Sequence, residues 1–420
     1  MKRRSDTKKE LFEVVEKKVV MFPGSQLTIT KMKQIPEGEA EKKGFYSEEE
    51  DGHPVSSGYS RVDYNYYPRL KSVGSSVPPI NSFETLLYSQ LNKEGNLVFS
   101  PFSIATALGM VYEGARDETA SEILAPFQCP MRDYGKIKNA SFHSANAVFV
   151  DQRFEVLKGF TSALRKYYKS GCIKVDFRHG AREQINDWVS SRTNDKIKDL
   201  LPVVDPNTKL ILVNAIYFLG DWEEPFDPRR TTSEPFFTEG KEMKVKMMYR
   251  KMEQASYAAF NADGSPFIGE EYPKDGFQVL DIPYKGEELS MMIILPSVGS
   301  AFPKFSNFNC KQRDVHVSLP KFKMECQFEL NEPLQALGMK RAFTPAAQLQ
   351  GIAPGLMISR VIHKAFVEVN EQGTEAAAAT VVMIAKGYVP FVPEFTANRP
   401  FMFAIRIHGH LLFMGRFVSP

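Results

Sequence analysis

No stretch of the chain reaches about 18 consecutive apolar residues, so no segment reads as a helix able to span a bilayer. Charge of one sign is also missing: the net is +3, which gives no whole-chain argument for nucleic acid as a partner. Cysteine is scarce. The four at 129, 172, 310 and 326 show no paired spacing, which points to a reducing compartment or free thiols. The first twenty residues lack the unbroken apolar core of a secretory leader. A basic cluster is followed instead by alternating charges, with Leu11, Phe12, Val15 and Val19 at helical spacing. A cytoplasmic location is expected, or an extracellular one if the N-terminal segment is mis-joined. Enzyme signatures are missing too. There is no His-Glu-x-x-His, no P-loop and no Gly-x-Ser-x-Gly elbow. Seven histidines make no metal signature, and His408-Gly409-His410, between two apolar runs, reads as a hairpin turn. No catalytic residue, metal or cofactor is expected, and the chain reads as not an enzyme. Asn139-Ala140-Ser141 is the single glycosylation sequon.

What is present divides in two. Residues 1–78 are rich in Lys and Glu, carry the acidic run Glu48 to Asp51, and are punctuated by Ser, Gly and Pro. So few apolar residues predict a disordered or atypical N-terminal extension, a solvated linker. Tyr59, Tyr64, Tyr66 and Tyr67 leave open a tail that meets basic protein surfaces. From residue 79 the chain reads as globular, one large domain to residue 420. Phe83, Leu86, Leu87 and Leu91 share a helical face closed near Gly95, and Ile104, Leu108, Val111 and Tyr112 another. Strands are expected at 143–150, 209–218, 243–249, 252–260, 277–282, 289–295 and 316–326, with helices at 181–201 and 330–337. Lys209 to Phe218 is nearly all apolar, as in a strand buried on both faces. Many strands with scattered helices make an α+β architecture.

The most informative stretch is His363 to Phe401. Phe366, Val367 and Val369 are strand formers, interrupted at period two by Glu368 and Asn370. The character changes at Gly373-Thr374-Glu375, runs through Ala376, Ala377, Ala378 and Ala379, and becomes a β-branched patch, Thr380 to Ile384. Helix-forming Glu and Ala here conflict with the strand formers that follow, and such conflicts mark functional sites. No proline interrupts Gly373 to Val389, so each residue can donate to a sheet ladder. Period-two geometry puts Thr374, Ala376, Ala378, Thr380, Val382 and Ile384 on one face, small enough for a strand sliding between two others. An exposed Ala-rich loop is the plainer alternative.

Glu371-Gln372-Gly373-Thr374-Glu375 and the four alanines resemble the hinge of the reactive-centre loop in serpins, suicide inhibitors of serine proteases. Asn96-x-x-x-Ser100-Pro-x-Ser103, Asn214-Ala-Ile-Tyr-Phe218 with Trp222, Leu319-Pro-Lys321-Phe322, His363-Lys-Ala365, Asn398-Arg-Pro-Phe401 and Phe413-Met-Gly-Arg416 are similar to other family segments. The resemblance covers about 80–420 and implies a large central sheet, smaller sheets, surrounding helices and an exposed loop at about 371–397. It implies a trap: a protease cuts the loop, and the freed segment enters the main sheet before the acyl-enzyme hydrolyses. It also implies that Asn96, Ser100, Ser103, Asn214 and His363 form a buried network where the sheet opens. His363 alone reads as a catalytic base or a core histidine, and the resemblance supports the core. Glu371 is implied to pair with Lys321 at the loop base, beside Trp222. The alternative is a solvated pair that never meets.

Counting from Gly373 as the family does puts the cut after Gly387, with Lys386 and Tyr388 as neighbouring candidates. A trypsin-like or elastase-like target is expected, with a chymotrypsin-like one as third choice if the cut follows Tyr388, and the inhibitor acting as a monomer. A non-inhibitory relative acting as chaperone, carrier or storage protein is the alternative; bulky or charged inward hinge residues would mark it, and Thr374, Ala376 and Ala378 are neither. Three departures stand out. The segment between Leu124 and Phe142 is short where heparin-binding members carry basic residues, so a heparin site of that kind is not expected. Pro296 to Asp314 is short as well, and Asn261 to Asp275 is an extra polar segment.

Overall fold

The computed structural model describes residues 11–22, 25–35, 83–91, 94–127, 142–238, 240–269, 272–286, 288–306, 308–372, 391–407 and 410–420. The chain divides into two compact units, Met1–Gly74 and Ser75–Pro420. In the first, β1 (Leu11–Phe22) and β2 (Ser25–Ile35) pair antiparallel, from Leu11↔Ile35 to Phe22↔Ser25. This corrects the helical reading of Leu11 to Val19, within a region whose composition predicts a solvated linker. Val14, Val15, Val19 and Val20 in one strand, and Thr28, Ile29 and Thr30 in the other, are β-branched. Pro23-Gly24 between them is a turn signal.

The second unit is organised around one buried helix. After α1 (Phe83–Leu91), Gly95 takes φ +84°, where glycine carries no Cβ penalty. Strand β3 (Leu97–Phe99) leads into α2 (Pro101–Tyr112), whose N-terminus is capped by Ser100 with Pro101 in the first turn. Every residue from Pro101 to Val111 is buried, because this helix lies inside the core rather than on it. Helix α3 (Asp117–Leu124) follows.

A five-stranded sheet lies against that core. In spatial order it is β12 (Phe322–Glu329), β13 (Arg360–Val369), β6 (Leu210–Phe218), β4 (Phe142–Asp151) and β5 (Gly171–Val175). β6 is buried along its whole length, and β13 at all but Arg360 and Glu368. Alternate residues serve two cores. Leu212, Ile216, Phe218, Ala365 and Val367 join the main one; Val213, Ala215, Tyr217, Ile362 and Phe366 join a second with Ile185 and Val189 of the helix Ala181–Arg192. That double burial explains the near-continuous apolar run at 209–218. β13 and β6 run parallel, from Arg360↔Ile211 to Val367↔Phe218. β12 pairs antiparallel with β13, and β4 antiparallel with β6.

The nine-stranded sheet runs β14 (Glu394–Thr396), β11 (Lys311–Pro320), β8 (Lys241–Asn261), β9 (Gly276–Pro283), β10 (Leu289–Pro296), β15 (Phe401–Ile407), β16 (His410–Phe417) and β3, with β7 (Thr232–Thr238) also on β8. Three sequence expectations are corrected here. The strands expected at 243–249 and 252–260 are one, β8, kinked where Gln254 takes φ +52° and the register against β11 shifts. The strand expected at 316–326 is two, in different sheets. Pro320, which has no N–H to donate, closes β11, and Lys321 stands at the corner before β12. The helix expected to reach 201 stops at Arg192, because Asn194 and Asp195 take left-handed φ of 47° and 57°. The short helix expected at 330–337 is Asn331–Ala336.

Among the described residues between Pro296 and Lys311 there is no helix, as the shortness of that segment implies. No described helix is long and apolar enough to cross a membrane. Cys172, Cys310 and Cys326 are free and half-buried; Cys129 and Asn139 lie outside the described residues.

Candidate functional site

The end of β13 is held by a turn from another part of the chain. Trp222 donates its backbone N–H to the Gln372 carbonyl (3.1 Å) and its indole Nε1–H to the Asn370 carbonyl (2.9 Å). Phe226 N–H donates to the Glu371 carbonyl (3.2 Å). Residues 222–226 therefore capture the carbonyls of Asn370, Glu371 and Gln372 in succession. Trp222 is itself fixed, 1% exposed and stacked on Tyr284 at 4.3 Å and 8°. The Glu371 carboxylate is bonded on both oxygens. Lys321 Nζ lies 2.6 Å from Oε2, and Thr231 Oγ1 donates to Oε1 at 2.8 Å. Burial pushes this carboxyl up, but the Lys321 and Thr231 bonds outweigh it and hold it below the usual carboxylate range. Lys321 is placed by its corner position, where its N–H binds the Lys246 carbonyl (2.8 Å).

Beneath this clamp, the seam between β13 and β6 is bridged by polar side chains. His363 and Asn214 face each other in register, and His363 Nδ1–H donates to Asn214 Oδ1. The tautomer follows from the other side of the ring, where the Ser100 backbone N–H donates to Nε2 at 3.0 Å. The Asn214 amide donates to Ser103 Oγ and to Asn146 Oδ1, and Ser103 Oγ donates to Asn146 Oδ1 (3.2 Å). Ser100 Oγ donates to the Leu412 carbonyl (2.6 Å) while accepting from Ser103 N–H (3.1 Å). His363, Asn214, Ser100 and Ser103 are all fully buried, so these bonds meet the requirement that buried polar groups be satisfied.

One expected member does not join. Asn96 accepts from Val418 N–H (2.6 Å) and Ser419 N–H (3.1 Å) and donates to the Ser419 carbonyl (2.7 Å). It sits before β3, which pairs with β16, and so pins the C-terminal segment instead. Asn146 occupies the network position on β4. Its signal was available in the sequence, a lone amide between the buried Ala145 and Ala147. Thr231 and Phe226 carry no such signal, since they meet the loop base only through the fold. The hinge residues Gly373, Thr374, Glu375 and Ala376 to Ala379, and the bond candidates Lys386, Gly387 and Tyr388, lie outside the described residues.

Burial holds the imidazole neutral and lowers the His363 pKa to about 3. An unfolded histidine takes up its proton near pH 6.5, so the unfolded state binds more protons throughout the interval between. Stability is therefore full above pH 6.5 and falls as pH drops toward 3, by about 1.4 kcal/mol per unit for this group. Urea midpoints at pH 7 and pH 5 should show that loss, and His363→Gln should be less stable at pH 7 yet lack this share of the slope. Parallel pH curves for the two proteins would contradict the assignment.

The model of the family described as serpin, serine protease inhibitor, matches residues 79–420. The chain is 38% identical over 380 residues to human leukocyte elastase inhibitor, covering 80% of this chain and 96% of that protein. It is 34% identical over 390 residues to human Serpin B4, covering 80% and 97%. The crystal structure of Serpin48 from the insect Tenebrio molitor superposes with a TM-score of 0.68 at 30% identity, over 81% of this chain and 97% of that one. The match spans both sheets, the clamp and the seam. The chain belongs to the serpin family of serine protease inhibitors.

Proposed function

We propose that the chain is an irreversible suicide inhibitor of trypsin-like or elastase-like serine proteases, and not an enzyme. One observation carries the reading: β13 and β6 are parallel neighbours. A segment that leaves the end of β13 and folds back runs antiparallel to both, so it can pair on each of its edges by strand addition. The hinge from Gly373 onward, small on one face and free of proline, leaves β13 at that place. Residues 1–78 stand outside this device as an extension.

In the proposed cycle the protease serine attacks the carbonyl of the scissile residue, Gly387 by count or its neighbour Lys386 or Tyr388. The peptide nitrogen leaves with a proton on the C-terminal piece, which stays anchored through β14, β15 and β16. The N-terminal piece, esterified to the protease, enters the seam and carries the enzyme with it. The network suits this parting. When β13 and β6 separate, the His363–Asn214 bond is lost, yet His363 keeps the Ser100 N–H, and Asn214 keeps Ser103 and Asn146.

Incubation with a panel of serine proteases, followed by a denaturing gel and mass spectrometry of the released peptide, tests the reading. A stable complex and a cut at one of the three candidates are expected. If a trypsin-like enzyme is the target, Lys386→Ala should abolish its complex while leaving loop insertion intact. Trapping of that enzyme by Lys386→Ala at the wild-type rate would move the bond to Gly387 or Tyr388.

A further inference from the structure

The extra segment between β8 and β9 is not a slack insertion. Asn261 N–H binds the Ser265 carbonyl (2.9 Å), Gly264 N–H the Asn261 carbonyl (2.9 Å), and Phe267 N–H the Ala259 carbonyl (2.8 Å). Asp263 accepts from Ser265 N–H (2.8 Å), and Gly264 supplies the left-handed φ of +82°. Phe260, Phe277 and Phe308 pack together at its base, each pair 5.2 Å apart. The Phe267 ring folds onto Gly269, where a Cβ would stand 2.6 Å away. Between them Ile268 is held out, 96% exposed.

The same segment reaches the foot of the loop. The Tyr272 ring lies 6.2 Å from that of Phe391, and its hydroxyl accepts the Glu394 N–H. Tyr272 and Phe391 are themselves 36% and 46% exposed. Pro393 is fixed by His316 N–H at 2.9 Å. This foot stands a few residues beyond the bond candidates, and, unlike the clamped foot at Glu371, it presents apolar rings to solvent.

A protease–inhibitor interface buries about 800 Å² on each partner, drawn from about 20–30 residues. A loop strand lying in a cleft supplies only part of that, and the rest comes from surfaces beside its feet. In sequence the segment carries Asp263, Glu270, Glu271 and Asp275 against Lys274 alone, which favours a basic partner face.

We infer that Ile268, Tyr272 and Phe391 form a second contact surface for the protease, engaging an apolar spot with a basic rim beside the part of its cleft that binds the C-terminal side of the cut. This rests on the inhibitor reading. The test uses the full chain and the best-trapped protease of the panel. Ile268 is almost wholly exposed, so Ile268→Ala and Ile268→Arg should fold normally. Partial burial of an isoleucine is worth enough for Ile268→Ala to slow complex formation by about fivefold, and Ile268→Arg should slow it further. Raising salt should slow the wild type as well. Stoichiometry of inhibition and thermal stability should not change. Rates for both variants within about twofold of a working wild type would overturn the second contact while leaving the inhibitor reading intact. Failure of the wild type to trap any protease would overturn both.

Discussion

Thr374→Arg should be cleaved as a substrate while forming little covalent complex. In the proposed insertion, Thr374 is the first hinge residue whose side chain would turn inward as the segment from Gly373 enters the seam. The face it would turn to beside that seam is the main core, where Phe218 and Val367 are buried, whereas the opposite face carries the part-exposed Glu368. Burying an unpaired charge costs several kcal/mol even with partial solvation, and about 1.4 kcal/mol slows a step tenfold. Insertion slows by orders of magnitude, whereas the scissile bond, some dozen residues away, is untouched. Deacylation then wins the race. Glu375→Arg, one residue on and turned the other way, should be far milder. The stoichiometry of inhibition of both variants, against the best protease of the panel, measures the difference. One-to-one inhibition by Thr374→Arg at the wild-type rate would refute the side-chain alternation and the insertion step.

Much of this fold is legible in the residues themselves. A strand buried on both faces writes itself as an unbroken apolar run, and Leu210 to Phe218 does so. The pairing of Glu371 with Lys321 was legible only through resemblance, since fifty residues separate them and two sheets meet at Lys321. Local pattern fails where tertiary context decides. Leu11, Phe12, Val15 and Val19 fit a helical period, but β-branched content wins and gives β1. The apolar run through Pro320 and Phe322 looks continuous, yet the chain changes sheets there. Asn96 sits in the motif beside Ser100 and Ser103 but spends its hydrogen bonds on Val418 and Ser419. Its place in the network goes to Asn146, from a strand 50 residues on.

The seam also predicts a large gain in stability on cleavage. Parallel β13 and β6 hold each other through one ladder; a strand between them makes two, antiparallel on both sides. Roughly a dozen new backbone hydrogen bonds, at about 1 kcal/mol net each, match the whole stability of an ordinary domain. At roughly 1.5–2 °C per kcal/mol for a domain spanning residues 79–420, the melting temperature should rise by roughly 20 °C or more. The rise requires the segment from Gly373 to be free at one end, so a cut between Ala385 and Val389 is needed. A non-target protease can make that cut without being trapped. The direct test is therefore the melting temperature of the full chain before and after such a cut, followed by far-UV circular dichroism, with mass spectrometry to locate the cut. A rise of tens of degrees is the predicted result, and unchanged melting after a confirmed cut would contradict insertion of the loop between β13 and β6.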